Sequence, residues 1–258
     1  MRGHLGEARA RLTAAIAARE KVGAELDSAH KAILARALNA VGIVAEEQGD
    51  YAGARAIHQR ALAIRREVGD KLRIAISLNN LGTVSHAEGD NATARRYQEE
   101  SLAIFRNIGH KGGIASSLGN LGNVLSDQGE YETARRYREE AVAIFRDLGD
   151  TSNVALFLSA LGESAINQGK LSEARSLLRE SLAILRVVGD KRVIAYSLET
   201  FALLCEAEGK SERAAKLLCA ADALRDAIGV PLSPKERAEH DRTVAAIRTA
   251  LGDAAFNA

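Results

Sequence analysis

The chain has no tryptophan, one methionine, two prolines, five phenylalanines and five tyrosines in 258 residues. Aromatics make up only 4% and apolar residues 47% of it, so the interior must be built from alanine, leucine, isoleucine and valine rather than large rings. Cys205 and Cys219 fall in consecutive predicted helices of one hairpin, and neither has His or Cys at metal-ligand spacing. Both are expected as small buried apolar side chains in a reducing cytoplasm. Neither charge is in excess: 35 Lys and Arg against 34 Asp and Glu leave +1. That removes the basic field on which non-specific nucleic-acid binding depends. No apolar run approaches the roughly 18 residues that cross a bilayer, and the opening MRGHLGEARARL lacks the apolar stretch of a secretory signal. A soluble, cytoplasmic chain without a membrane partner is expected.

Catalytic motifs are missing as well. Gly209-Lys210-Ser211 has the ending of a phosphate loop, but Leu204 stands where that loop needs its first glycine, and no strand precedes it. The six histidines, His4, His30, His58, His86, His110 and His240, show no HExxH pairing, and there is no Gly-x-Ser-x-Gly elbow. No catalytic residue, metal or cofactor is expected.

What is present is a ruler made of glycine. Gly49, Gly89, Gly129, Gly169 and Gly209 step by 40 residues, and Gly69, Gly109, Gly149, Gly189 and Gly229 do the same with an offset of 20. Glycine just past an apolar-periodic segment is the usual helix stop, because it accepts the left-handed conformation there. Asp50, Asp70, Asp90, Asp150 and Asp190 follow such glycines directly and are placed to cap the next helix. The chain therefore reads as helix, tight turn, helix, and a fixed period of this kind stacks into one solenoid.

Within each hairpin the second helix carries a stripe such as Ala94, Tyr97, Ser101, Ile104 and Ile108, which returns as Ala134, Tyr137, Ala141, Ile144 and Leu148. That spacing lies on one helical face. The first helix has its own stripe at Leu78, Leu81, Gly82 and Ser85, repeated at Leu118, Leu121, Gly122 and Leu125. A glycine inside a helix costs about 1 kcal/mol relative to alanine, so Gly42, Gly82, Gly122 and Gly162 need a compensating contact. Ala54, Ala94, Ala134 and Ala174, twelve positions later, are expected to face them where the returning helix crosses. Arg95 and Arg96 with Glu99 and Glu100, echoed by Arg135, Arg136, Glu139 and Glu140, read as a solvated face of ion pairs.

The small first-helix residue, the alanine twelve on and a further small residue seven beyond it (Ala61, Ser101, Ala141, Ser181) together resemble the tetratricopeptide repeat over nearly the whole chain. The period is 40 rather than about 34, the usual first-helix aromatic is absent, and no proline ends the second helix. The longer helices are similar to variants in kinesin light chain, Pins-type adaptors and bacterial regulators. The resemblance implies an all-α, right-handed α–α superhelix whose first helices line a concave face. On that face it places Asn39, Asn79, Thr83 and His86, then Gly119, Asn123, Ser126 and Asp127, then Ser159, Glu163, Ile166, Asn167 and Glu199. Asparagine both donates and accepts, and so suits clamping the backbone of an extended peptide. Glu163, Glu199 and Glu206 make the later part acidic and point to a basic ligand there. The alternative is that these polar residues are simply exposed or bond neighbouring helices.

Both ends depart from the period. Gly3 to Gly23 matches a second helix with no first-helix partner, and Gly23 to Gly49 spans 26 residues, six more than elsewhere, around Ala24 to Lys31. The stripe Leu5, Leu12, Ala15, Ile16 is placed to pair with a second chain, which makes a homodimerisation module the alternative function. Near the other end Pro231 and Pro234 bracket Ser233, and Ser233-Pro234-Lys235-Glu236 reads as N-cap, first helical residue and capping-box glutamate. A helix from Pro234 to Leu251 with Val244, Ile247 and Leu251 on one face is expected to cap the array. The predicted organisation is thus an array over 1–229, five full hairpins after an initial unpaired helix, then a capping helix and a short tail over 230–258. The stretch from Ala214 to Phe256 resembles the end of the repeat region in large bacterial regulators of the LuxR and AfsR kind. It implies that the chain is a piece of such a protein and serves as its sensor or regulatory arm. The function expected is non-catalytic binding of a protein or extended peptide, in signalling or transcription regulation, without direct contact to nucleic acid.

Overall fold

The computed structural model describes residues 27–252 and, before them, positions 7, 9–11, 13 and 14. Apart from those positions, the predicted unpaired first helix lies outside the described residues, as do its stripe Leu5, Leu12, Ala15 and Ile16 and the tail from residue 253. Along the described chain run α1 (Ser28–Glu47), α2 (Tyr51–Val68), α3 (Lys71–Ala87), α4 (Asn91–Ile108), α5 (Lys111–Asp127), α6 (Tyr131–Leu148), α7 (Thr151–Asn167), α8 (Leu171–Val188), α9 (Lys191–Ala207), α10 (Ser211–Ile228) and α11 (Pro234–Leu251). No strand occurs among the described residues. The chain divides into two compact units, the first formed by 1–120 with 229–233 and the second by 121–228 with 234–258. In the first unit α1 pairs with α2 and α3 with α4; in the second α7 pairs with α8 and α9 with α10.

The helices stop and start where the glycine ruler says. All ten ladder glycines have positive φ, between 68° and 85°. At the turn after α1, Gly49 N–H bonds Glu46 O and Asp50 N–H bonds Ala45 O, both at 2.9 Å, which closes the last turn in the Schellman manner. The five aspartates cap as expected: Asp50, Asp70, Asp90 and Asp150 accept from the N–H three residues on at 2.9–3.1 Å, and Asp190 accepts from Arg192 and Val193. Where Glu130 and Lys170 replace aspartate, α6 and α8 begin without a side-chain cap bond.

These caps set an acid limit. The Thr93 N–H holds the Asp90 carboxyl below its ordinary 3.8, and the Arg9 guanidinium with the Gly53 N–H does the same for Asp50. A carboxyl depressed by folding contributes stability that is complete above its unfolded value and is lost as pH falls through the folded one. Helical circular dichroism is therefore expected to hold from neutral pH down to about pH 4 and to decline below it. Asp90→Asn, which keeps a capping oxygen but cannot titrate, should flatten part of that decline.

Packing inside each hairpin differs from the expected glycine-on-alanine contact. Ala54, Ala94, Ala134, Ala174 and Ala214 are fully buried, but the side chain that fills the space opposite each helical glycine lies sixteen residues later. A Cβ on Gly42 would sit 2.5 Å from His58 Cε1, on Gly82 2.8 Å from Gln98 Cγ, on Gly122 2.7 Å from Arg138 Cγ and on Gly162 2.9 Å from Leu178 Cγ. The alanine contributes its carbonyl, at 3.1 Å for Ala134 and 3.6 Å for Ala174. Glycine here makes room for a long side chain that passes beneath the first helix. The ladder His58, Gln98, Arg138, Leu178, Leu218 is buried at every rung and changes from polar to apolar along the chain.

Hairpins join through buried serines. In the first unit Ser101 donates to Ala75 O at 2.9 Å and lies 3.1 Å from Ser117; in the second Ser181 donates to Ala155 O at 2.8 Å beside Ser159 and Ser197. The outward face carries the expected pairs, Arg95 with Glu99 and Arg135 with Glu139. Further pairs, Arg66 with Glu100 and Arg146 with Glu180, tie one hairpin to the next.

α1 is 20 residues long where the other first helices have 17, so part of the predicted insertion is helical, capped by Asp27. Only Cys205 is a buried thiol, pushed up by that burial; Cys219 is exposed, against expectation, because it lies on the outward side of α10. α11 begins at Pro234, and its Val244, Ile247 and Leu251 pack on a cluster with Leu204, Cys205 and Leu218.

Candidate functional site

In the first unit, asparagines of successive first helices meet. Asn80 donates to Asn39 Oδ1 at 3.2 Å, and Asn120 donates to Asn79 Oδ1 and Thr83 Oγ1, both at 3.4 Å. Asn39 and Asn79 are also held from behind. Asn39 Oδ1 accepts from the buried Arg65 at 3.2 Å. Asn79 donates to Gln98 Oε1 at 2.9 Å and Ser117 at 3.2 Å, while Gln98 returns a bond to Asn79 O at 2.9 Å. Thr83 is exposed and donates to Asn79 O in its own helix. His86 is half-buried near the end of α3.

The second unit repeats the plan with charge. Asn123 Oδ1 accepts twice from Arg138, at 3.2 and 3.0 Å, and Arg138 also donates to Ala160 O and Ser164. Ser126 lies 3.5 Å from Ser164. Glu163 accepts from the Tyr196 hydroxyl at 2.6 Å. Glu199 forms a two-point pair with Arg225 at 2.5 and 2.9 Å. Asp127 lies 3.3 Å from the Lys235 ammonium of α11. Asn167 is exposed and Glu206 half-buried. Two expected face residues are elsewhere: Gly119 is buried, and Ser159 is fully buried among Ser181 and Ser197. Ile166 is half-buried against the apolar cluster. The first-helix stripe is wider than its leucines alone imply, which turns position 159 inward.

Burial and charge shape these groups. Burial brings Arg65 down to about 10, since its Nη atoms meet only neutral oxygens, including Arg73 O at 3.1 Å and Ser77 at 2.5 Å. Arg138 is lowered for the same reason, against the pull of Glu163. Burial raises Glu199 despite Arg225, and raises Tyr196 well above the usual phenol range beside Glu163. Burial would lower Lys235, but Asp127, Glu239 and Glu163 outweigh it and hold the ammonium above its ordinary value. Within the acidic later part Glu163 and Glu199 each have an internal donor, as does Asp127.

Sequence reasoning missed the partners: Asn80 and Asn120, the backing residues Gln98, Arg138 and Arg65, and then Tyr196, Arg225 and Lys235. The available signal was the 40-residue ladder through positions 58, 98 and 138, sixteen after each helical glycine. The first helices of the first unit offer amides and hydroxyls and those of the second add a few charges, groups able to hydrogen-bond a backbone. A cleft between Arg135, Ser164, Gln168 and Glu173 encloses about 30 Å³, room for a water or two against roughly 300–1,000 Å³ for small-molecule sites. Among the described residues no three His, Cys, Asp or Glu come together as a metal site, and no helix is long and apolar enough to cross a membrane.

The family model described as tetratricopeptide repeat matches residues 33–107, 73–147 and 113–186, overlapping spans that run over more than half of the chain. The chain belongs to the tetratricopeptide repeat family. No curated protein matches it by sequence. Among solved repeat structures it is similar to BtubC from P. vanneervenii, at 18% identity and TM-score 0.66, over 87% of this chain and 92% of that one. It is also similar to a Rap protein complexed with Competence and Sporulation Factor, at 17% identity and TM-score 0.65, over 98% and 74%. A third, a signal transduction ATPase with numerous domains and a tetratricopeptide repeat sensor from Pyrococcus horikoshii, aligns at 15% identity and TM-score 0.60, over 86% of this chain and 34% of that one. At these identities the likeness is one of fold, the all-α right-handed superhelix of the repeat family.

Proposed function

We propose that the chain is a non-catalytic scaffold that binds a protein segment or extended peptide along its first-helix face, as the sensor or regulatory arm of a larger bacterial signalling or transcriptional regulator in the cytoplasm. The observation that carries this reading is the line of asparagines, Asn39 to Asn80 and Asn79 to Asn120, held in register by Arg65 and Gln98. Preorganised amides spend little entropy on meeting a peptide backbone, which is how a shallow face gains affinity. A repeat neighbour solved with Competence and Sporulation Factor, and another in which the repeats are the sensor of an ATPase spanning far more chain, agree with such an arm.

Asn79 and Asn123 also brace the hairpins, so the cleaner probe of binding is Thr83, which is exposed. Thr83→Arg is expected to leave the urea midpoint unchanged and to weaken binding of peptides selected from an arrayed 15-residue library by about tenfold, 1.4 kcal/mol. An array that yields no binder, or binders indifferent to Thr83→Arg, overturns the reading.

A further inference from the structure

α11 is held differently at its two ends. Toward its C-terminus Val244, Ile247 and Leu251 sit in an apolar cluster with Leu204 and Leu218, and Ile247 is the helix's buried residue. Toward its N-terminus the contacts are polar. Lys235 reaches Asp127 at 3.3 Å and Glu239 at 2.7 Å, Glu236 approaches Arg225 at 3.6 Å, and His240 lies 3.2 Å from Asp222.

Lys235 and Asp127 are each about a fifth exposed at the side chain, 21% and 23%. Asp127 is the last residue of α5, and Glu163, hydrogen-bonded to Tyr196, acts on the same ammonium. One first-helix carboxylate, Asp127, thus pairs with a lysine that belongs to no hairpin, and Glu163 of the next first helix adds its field to the same ammonium. A surface helix needs no such placement to cover the end of an array, since the apolar stripe of α11 already does so.

We propose that Asp127 and Glu163 form a receptor for a lysine or arginine side chain of an incoming peptide, with Lys235 as its built-in competitor. The proposal rests on the scaffold reading and adds to it the chemistry of the ligand and a means of regulation. As a tethered group Lys235 has a high effective concentration at the receptor, so a weak basic peptide is excluded and a strong one lifts the first turns of α11. The apolar end, with Ile247, remains in place as the anchor.

The test uses the full chain and a fluorescent peptide of its own residues 233–245, with a second peptide in which Lys235, Arg237 and Arg242 are all alanine. Fluorescence polarisation should show the lysine peptide binding Lys235→Ala at least tenfold more tightly than wild type, and the alanine peptide gaining nothing. Adding Asp127→Asn and Glu163→Gln to Lys235→Ala should abolish the gain. Hydrogen exchange over 234–243 should quicken in Lys235→Ala while the amides around Ile247 stay protected. Equal binding to wild type and Lys235→Ala, or binding that survives loss of both carboxylates, overturns the proposal. The two failures are separable: if library peptides still bind and still lose affinity with Thr83→Arg, the scaffold stands and the competitor falls.

Discussion

Replacing Arg138 by alanine is expected to destabilise the second unit by about 3–5 kcal/mol, whereas leucine at the same position costs no more than about 1.5 kcal/mol. Arg138 is 3% exposed, and its guanidinium spends its donors on Asn123, Ala160 O and Ser164. Alanine would empty the space opposite Gly122 and leave buried acceptors without their donor. Leucine refills that space, and the equivalent positions already hold buried Leu178 and Leu218 opposite first helices of the same kind. Leucine also removes a buried charge whose partners are neutral, which offsets part of the lost hydrogen bonding. Because stacked repeats lose structure in segments, the readout is native-state hydrogen exchange of the amides in 121–228. Equal costs for alanine and leucine would mean that shape at this rung is unimportant.

The Arg138 rung also marks how far the amino-acid sequence is legible. The turns were readable because the requirement is local: a positive φ wants glycine, and the orphan N–H groups of the next helix want aspartate. Pro234 to Leu251 was readable for the same reason, with proline at the first helical position. Which residue faces Gly122 was not, since helical periodicity sets the face a side chain occupies but not the register between two antiparallel helices. A shift of one turn moves the contact from Ala134 to Arg138, and both positions look equally inward.

The site shows the same division. Asn39, Asn79 and Asn123 were correctly placed on first helices, yet their partners Arg65, Gln98 and Arg138 lie in the returning helices. The two readings offered for these polar residues are therefore not exclusive: the asparagines bond neighbouring helices, and that bonding fixes the amides presented outward. Lys235 beside Asp127 was illegible for a stronger reason. The contact joins the last helix to the end of α5, and nothing in a 40-residue period encodes where a segment outside that period will settle.

The register itself is open to a direct measurement, through the pair Gly82 and Gln98. Gly82→Ala should gain about 1 kcal/mol of helix propensity but bring a methyl group 2.8 Å from Gln98 Cγ, closer than such contacts allow. Overpacking of that kind costs about 1–3 kcal/mol and exceeds the gain. Gln98→Ala alone should also destabilise the first unit by about 1–3 kcal/mol, because Asn79 loses its amide partner and a space opens. In the double variant the new methyl group occupies part of the space the glutamine left, so the combined loss should fall short of the sum by about 1–3 kcal/mol. The cycle is read by hydrogen exchange of α3 and α4. If the glycine instead answered to Ala94, the two substitutions would be independent and their effects would add within about 0.5 kcal/mol. Additivity would thus reinstate the glycine-on-alanine contact, and a shortfall establishes that these helical glycines exist to admit the side chain sixteen residues on.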